Sequence, residues 1–392
     1  MQNLHFNGSG AEYFKIWIVN ILLTILTLGL YYPWAKVRNR RYIYANCSLE
    51  DHSFEYHATG KQLFLGYLIA TILLISFGVI QNISAYGTLI TGAFLTIIFP
   101  WVIWRSLIFN LRMTSFSNVR LGFEGTLGGA YINFMLMPLL AFSAMYSPII
   151  IAVIMSATYE TMPLGLMIFV VILILSTIPL AAYFYSLMSK KIAYYSISGY
   201  RFGQGHFSSD IKTSAFLAIL TKTILLSLFF IVLLIIAISV FAIFFAGGLE
   251  SISNLTDANT ENNEVPVEAI VSLIVLYAIF FCVNFIITAY AQSRYRKYIY
   301  ANSQFEESVS FSSSLSARKL ASVLITNFFL IIFTLGLGTP WAKVRKTRLF
   351  MEHTLVDIHT NLDEFISQEQ DKQSSLGEQI GDAFDVNVDI GF

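Results

Sequence analysis

Three polar side chains lie within long apolar stretches, where they could line a path for a solute. Asn20 and Asn327 lie in the first and last stretches, and Lys222 lies in a middle one. An ionisable group at membrane depth is costly and is therefore a functional candidate. We treat all three as candidate pore or substrate residues. The alternatives are a hydrogen bond between helices for the asparagines and a lysine stem that extends its amine to the interface.

Tryptophan and arginine are grouped at the ends of these stretches. A Trp-x-x-x-Arg pair places an indole ring and a guanidinium one helical turn apart. Interfacial aromatic rings and juxtamembrane cations favour contact with anionic lipid headgroups. The candidate headgroup residues are Trp34, Arg38, Arg40, Arg41, Arg294, Arg296, Trp341 and Arg345.

Motifs for catalysis and for metals are absent from the sequence. It contains no zinc-protease, nucleophile-elbow, phosphate-loop or dinucleotide pattern. Cys47 and Cys282 form no C-x-x-C pair, and the six histidines lie outside the apolar stretches. We therefore expect no enzyme activity and no cofactor. The net charge is zero, so we expect no nucleic-acid partner.

The distribution of basic residues predicts the elements that must position these side chains. The chain is 56% hydrophobic and only 12% charged, and Lys and Arg are missing from five long gaps. About 20 apolar residues cross a bilayer, and basic residues stay on the cytoplasmic side. The pattern predicts an all-α polytopic inner-membrane protein with apolar segments at 14–32, 63–80, 87–109, 131–156, 164–188, 215–246, 267–291 and 320–341.

Two sequence motifs near the start of the chain are repeated near its end. Residues 27–38 and 334–345 both begin Thr-Leu-Gly-Leu and end Pro-Trp-Ala-Lys-Val-Arg, and residues 42–46 match 298–302 as Tyr-Ile-Tyr-Ala-Asn. After the basic clusters come short alternating stretches with Gly and Ser, which predict cytoplasmic β elements. Repeats are common in transporters, but they also arise by plain duplication.

The first and last apolar segments present an orientation conflict. Both flanks of each segment resemble cytoplasmic flanks, which a single crossing cannot provide. One solution is a re-entrant hairpin with a break at Leu28-Gly29 and a second break at 336–338. The alternative is that both segments span and that the positive-inside rule is violated once. The sequence predicts six full spans plus these two segments, re-entrant or spanning.

The chain resembles the YjgN family of bacterial inner-membrane proteins. The resemblance rests on the Thr-Leu-Gly-Leu-Tyr-Tyr-Pro-Trp-Ala run at 27–35, the Arg-Tyr-Ile-Tyr-Ala-Asn run at 41–46, the segment from Asn118 to Phe123, and His57 to Gly60. It covers most of 5–356. It implies a multi-pass location in the inner membrane and brings no substrate or catalytic residue with it.

We predict a membrane domain at 1–350 with both termini cytoplasmic, followed by an acidic cytoplasmic tail at 351–392. Our first functional hypothesis is a small-solute transporter or channel. The alternative is a structural or lipid-binding protein that organises anionic lipids or partner proteins. Membrane lipids are the expected partners, the solute is unknown, and a homo-oligomer is compatible with the sequence.

Overall fold

Ten short strands form a closed antiparallel barrel in the computed structural model, which describes residues 2–50, 52–83, 86–158, 163–245, 267–306, 308–359, 364 and 366–367. Each strand pairs with its neighbours in the chain, and the first strand pairs with the last. The strands are β1 (Gln2–Phe6), β2 (Cys47–Leu49), β3 (His52–Tyr56), β4 (Thr114–Phe116), β5 (Val119–Phe123), β6 (Tyr200–Phe202), β7 (Gly205–Ser209), β8 (Ser303–Phe305), β9 (Val309–Ser313) and β10 (Thr354–Ile358).

Helices connect the strands in pairs, so that each pair leaves the barrel from one strand and returns to the next. The helices are α1 (Gly10–Leu26), α2 (Tyr32–Ala45), α3 (Gly60–Ile83), α4 (Gly87–Arg112), α5 (Leu127–Tyr131), α6 (Met137–Thr158), α7 (Leu164–Ser198), α8 (Thr213–Phe245), α9 (Val267–Ala301), α10 (Ala317–Phe333) and α11 (Thr339–Glu352). A π-helical turn, Ile132–Leu136, joins α5 to α6.

Six helices are long and apolar enough to cross a membrane, as the sequence predicts. They are α3, α4, the continuous helix of α5 and α6, α7, α8 and α9. The described chain is therefore mostly helical and fits a polytopic membrane protein.

The first and last apolar segments are not single helices. In each, two short helices fold back on each other, and we call α1–α2 and α10–α11 the terminal hairpins. Leu28 and Gly29 turn the first with φ of 50° and 92°, and Leu335 and Gly336 turn the second with the same two values. The Thr27 and Thr334 hydroxyls accept hydrogen bonds from the backbone N–H of Tyr31 and Gly338, at 3.0 and 2.7 Å. Neither segment therefore forms one uninterrupted helix.

The barrel itself was not predicted. The sequence indicated separate β elements, whereas the structure joins them into one closed sheet. Its interior is filled, because Leu49, Phe116, Phe202, Phe305 and Val356 belong to one buried cluster although they lie on five different strands. Ile366, beyond the last strand, is also buried in this cluster.

The predicted domain boundary at 350/351 falls inside α11, and β10 follows it within the barrel. The stretch between the predicted apolar segments 215–246 and 267–291, and most of the acidic tail, lie outside the described residues.

Candidate functional site

Asn20 and Asn327 occupy matching places in the two terminal hairpins. Both are buried. Asn20 Nδ2 donates to Asn39 Oδ1 at 3.0 Å, and Asn327 Nδ2 donates to the Ala342 carbonyl at 2.9 Å. Each amide thus fastens its own hairpin, which matches the hydrogen-bonding alternative for these residues.

A cavity of about 480 Å³ lies between α1, α2 and α11. Its wall has two chemical halves. Trp17, Ile21 and Ile25 form an apolar face on α1, and Tyr32 continues it at the start of α2. The polar half consists of Asn20, Lys36, Asn39, Arg40 and Lys343.

The three cations of this cavity have neutral neighbours. Lys343 Nζ donates to the Tyr13 hydroxyl at 2.9 Å and lies 5.2 Å from the centre of that ring. Arg40 Nη1 donates to the Tyr56 hydroxyl at 2.9 Å and to Asn110 Oδ1. Among the described residues, no carboxylate forms an ion pair with Lys36, Arg40 or Lys343.

The electrostatics of the cavity follow from this arrangement. Partial burial lowers the pKa of Lys36 and of Lys343, and the nearby Arg40 guanidinium lowers both further. Like charges in a partly desolvated place repel one another. An anion bound between them relieves that repulsion and gains charge-assisted hydrogen bonds. The cavity therefore favours a ligand with an anionic head and an apolar tail.

More polar groups converge at the end of the barrel that faces the helices. Tyr200 is largely buried there, which raises its pKa, and the hydroxyls of Tyr300 and Tyr44 add to the effect. The Arg296 guanidinium lies 4.3 Å from the Tyr300 ring centre. Its Nη2 donates to Thr354 Oγ1 at 2.5 Å, and its buried Nε has no hydrogen-bond partner among the described atoms.

Trp34 and Trp341 make packing contacts that the sequence reasoning did not anticipate. The indole of Trp34 lies against Gly60 at the start of α3, and that of Trp341 lies against Gly10 at the start of α1. A Cβ on either glycine would lie 2.2 Å from the indole Cδ1. In both places an arginine adds a hydrogen bond: Arg41 to the Ala58 carbonyl and Arg348 to the Gly8 carbonyl, both at 2.8 Å.

The remaining candidates are dispersed. Arg38 and Arg41 line a second cavity of about 480 Å³ beside Trp34 and Lys61. Arg345 Nη2 donates to the Thr326 hydroxyl at 3.1 Å. Arg294 is exposed and lies over the Tyr290 ring. Lys222 is exposed on α8 and lines neither cavity.

Sequence reasoning missed Lys36 and Lys343. Both lie in the repeated Pro-Trp-Ala-Lys-Val-Arg motif, so the repeat itself carried the signal. It missed Tyr13 as well, whose contact with Lys343 joins opposite ends of the chain.

The fold defines the class of protein, and comparison with known proteins gives its family. The barrel, the helical hairpins and the six apolar helices define a polytopic membrane protein. A family model described as a bacterial protein of unknown function (DUF898) matches residues 1–383. The chain belongs to this family.

Curated relatives carry one name. The inner membrane protein YjgN of Salmonella typhimurium is 29% identical over 363 residues, which are 90% of this chain and 88% of the relative. Inner membrane protein YjgN of Escherichia coli O157:H7 is 34% identical over 139 residues, 34% of each chain. The family resemblance inferred from the motifs is thereby confirmed. No solved structure matches the chain.

Proposed function

We propose that this protein is a non-enzymatic inner-membrane protein that binds anionic phospholipid. The observation that carries the proposal is the cavity of Lys36, Arg40 and Lys343. Three cations meet there without a described carboxylate, next to an apolar wall. A phospholipid complements this wall, because its anionic head matches the cations and its apolar chains match the apolar face.

The exposed apolar tips of the terminal hairpins indicate that the cavity lies near the membrane surface. Leu28 and Leu335, at the two turns, are each 94% exposed, and Phe333 is 80% exposed. Large exposed apolar side chains at a tip favour burial in lipid. The other ends of these hairpins join the barrel, where many of the basic residues lie. We therefore place the barrel and both termini on the cytoplasmic side, with the terminal hairpins re-entrant.

Solute transport, the first hypothesis from sequence, stays a prediction. Its candidate residues do not form one site in the described chain. Asn20 and Asn327 each bond within their own hairpin, and Lys222 lies on the exposed surface of α8.

Native mass spectrometry of the full chain released from lipid nanodiscs tests the proposal. The nanodiscs contain phosphatidylethanolamine, phosphatidylglycerol and cardiolipin. We expect the protein to retain an anionic lipid, and the variant K36Q/R40Q/K343Q to lose it. The matched control is R120Q/K222Q/K297Q, which removes three exposed charges that line neither cavity.

Retention of anionic lipid by the control but not by the cavity variant supports the proposal. Equal retention by the protein and both variants overturns it, because the lipid would then not depend on the cavity charges. Equal loss by both variants also overturns it, because the lipid would then respond to general surface charge. If the cavity variant does not fold, K36Q/R40K/K343Q replaces it. This variant keeps one of the three cavity charges and should retain less anionic lipid than the control does; retention equal to that of the control would overturn the proposal.

A further inference from the structure

The helices form a closed circle above the barrel. Each helix packs on the helix before it and the helix after it in the chain, and α11 packs on α1 to complete the circle. Apart from α11 with α1, the helix pairs in substantial contact in the described chain are chain neighbours. The described helices therefore surround a central space rather than pack across it.

The span helices facing this space have few fully buried residues. No residue in the apolar windows of α3 and α8 is buried, and few are buried in the other four spans. A helix packed against a protein core buries one stripe of side chains. Here the spans keep large exposed apolar side chains, among them Ile75, Ile172 and Leu225. Acyl chains match such a surface, whereas water inside the ring would leave the apolar area hydrated.

Two of the five hairpins are too short to enclose the space completely. With a rise of 1.5 Å per residue, the 17 residues of α1 extend about 26 Å and the 14 residues of α2 about 21 Å. The 24 residues of α3 extend about 36 Å, which exceeds the roughly 30 Å of a hydrocarbon core. The terminal hairpins are neighbours through α11 and α1, so the ring is open to the bilayer above them.

The floor of the space, beneath this opening, is cationic. Lys36, Arg40 and Tyr44 are four residues apart on α2 and therefore share one helix face. Arg40 donates a hydrogen bond to Asn110 on α4, past α3, and Arg296 on α9 donates to the Phe350 carbonyl on α11, past α10. Side chains that reach past the intervening helix of the circle lie on its inner side. The Arg40 and Arg296 side chains, and Lys36 on the same face as Arg40, thus face the inside of the ring.

We propose that the helix ring encloses a lipid chamber, entered from the side above the terminal hairpins, in which an anionic phospholipid seats its headgroup on Lys36, Arg40 and Lys343. This inference rests on the proposed function and adds the place and the route of the lipid. The acyl chains lie along Trp17, Ile21 and Ile25, inside the ring and away from the bulk bilayer.

Trp17 provides a natural probe of the chamber, because brominated acyl chains quench tryptophan on contact. The full chain is reconstituted into vesicles of one phosphatidylglycerol and phosphatidylcholine composition. Bromine is placed on the chains of one lipid or of the other. The quenching that is lost in the Trp17→Phe variant is assigned to Trp17. The quenching lost in Trp101→Phe is assigned to Trp101, an exposed span residue outside the cavity, which is the control.

We expect brominated phosphatidylglycerol to quench Trp17 at least twofold more than brominated phosphatidylcholine does. Trp101 should follow the bulk composition. K36Q/R40Q/K343Q should abolish the preference at Trp17. Lipid delivered afterwards by cyclodextrin should quench Trp17 as completely as Trp101, because the chamber is open at its side.

Quenching of Trp17 in proportion to bulk composition overturns the chamber. Quenching of Trp101 but not of Trp17 by added lipid overturns the lateral opening. If mass spectrometry shows a retained anionic lipid while Trp17 shows no preference, lipid binding stands and the chamber falls. If neither signal appears, both proposals fall.

Discussion

Lys36 and Lys343 occupy the same position in the repeated motif but have different hydrogen-bond partners. Both follow Pro-Trp-Ala, and both lie in the cavity wall. Lys343 bonds to Tyr13, three residues after Gly10. The matching position after Gly60 is Leu63, which offers no hydrogen bond. The two lysines therefore lie in one site, but only Lys343 has a tyrosine hydroxyl as a neutral hydrogen-bond partner at this position. An anion between the two ammonium groups would bind to both.

The contact between Trp34 and Gly60 gives a prediction at the same scale. Gly60→Ala places a methyl group 2.2 Å from the indole, so the hairpins must separate. Overpacking of this kind costs about 1–3 kcal/mol, and we expect a lower Tm in detergent. Gly66→Ala in the same helix is the control, because nothing lies within 4 Å of its Cβ position.

A double-mutant cycle separates this contact from a general loss of helix stability. Trp34→Ala removes the ring, so Gly60→Ala should cost little in that background. Additive losses of Tm in the double variant would contradict the contact.

At the scale of elements, the terminal hairpins depend on one backbone turn used twice. Gly336 has φ of 92°, and nothing lies within 4 Å of its Cβ position. Gly336→Ala therefore introduces backbone strain without a steric clash, at a cost of about 1–3 kcal/mol. We expect thermal unfolding to begin at a lower temperature, while Gly128→Ala, with equal space and an ordinary φ, should have little effect. An unchanged Tm for Gly336→Ala would show that the turn does not need its left-handed glycine.

Sequence predicts these hairpins well and the barrel poorly, for physical reasons. The break at Leu28-Gly29 is local: a glycine, a following proline and matching flanks are all readable within 20 residues. The barrel strands have only three to five residues each, and β1 pairs with a strand about 350 residues away. No local pattern encodes such a pairing. The cavity likewise depends on a distant contact, because Lys343 in its wall bonds to Tyr13, 330 positions away.

The hairpin turns also allow a labelling test of topology. Cysteines at Glu50, Arg120 and Glu306 lie at one end of the barrel, beside different strand turns, so all three should react from the same, cytoplasmic side. A cysteine at Tyr86, between α3 and α4, should react from the other side. Cysteines at Leu28 and Leu335 should react with water-soluble maleimide from neither side, because the tips lie in lipid.

The native cysteines simplify this measurement. Burial raises the pKa of the Cys47 thiol to about 11, so it stays protonated and unreactive at neutral pH. Only Cys282 needs replacement by alanine. Labelling of Glu50→Cys and Glu306→Cys from opposite sides would be incompatible with a single barrel, and labelling of Leu28→Cys from the periplasm would indicate a span rather than a re-entrant hairpin.

At the scale of the whole molecule, closure of the barrel makes the ring possible. Without the pairing of β1 with β10, two strand edges would be left with unpaired backbone groups, and α1 would lose its fixed place beside α11. Both the cationic cavity and the lateral opening lie at this junction. The proposed lipid site and the closed fold therefore both depend on this junction.

A disulfide across the junction tests closure directly. Asn3 lies opposite Leu355 in the antiparallel register, where Cα atoms are about 4.5–5.5 Å apart, within reach of a disulfide. Asn3→Cys with Leu355→Cys should oxidise readily and run faster on a denaturing gel, since the cross-link makes the chain nearly circular. The control pairs Asn3→Cys with Ile358→Cys, three residues out of register, and should stay reduced under the same oxidant. Equal oxidation of both pairs would mean that the chain ends merely approach each other. Oxidation of the first pair alone fixes the register, and with it the seam over which the lipid would enter.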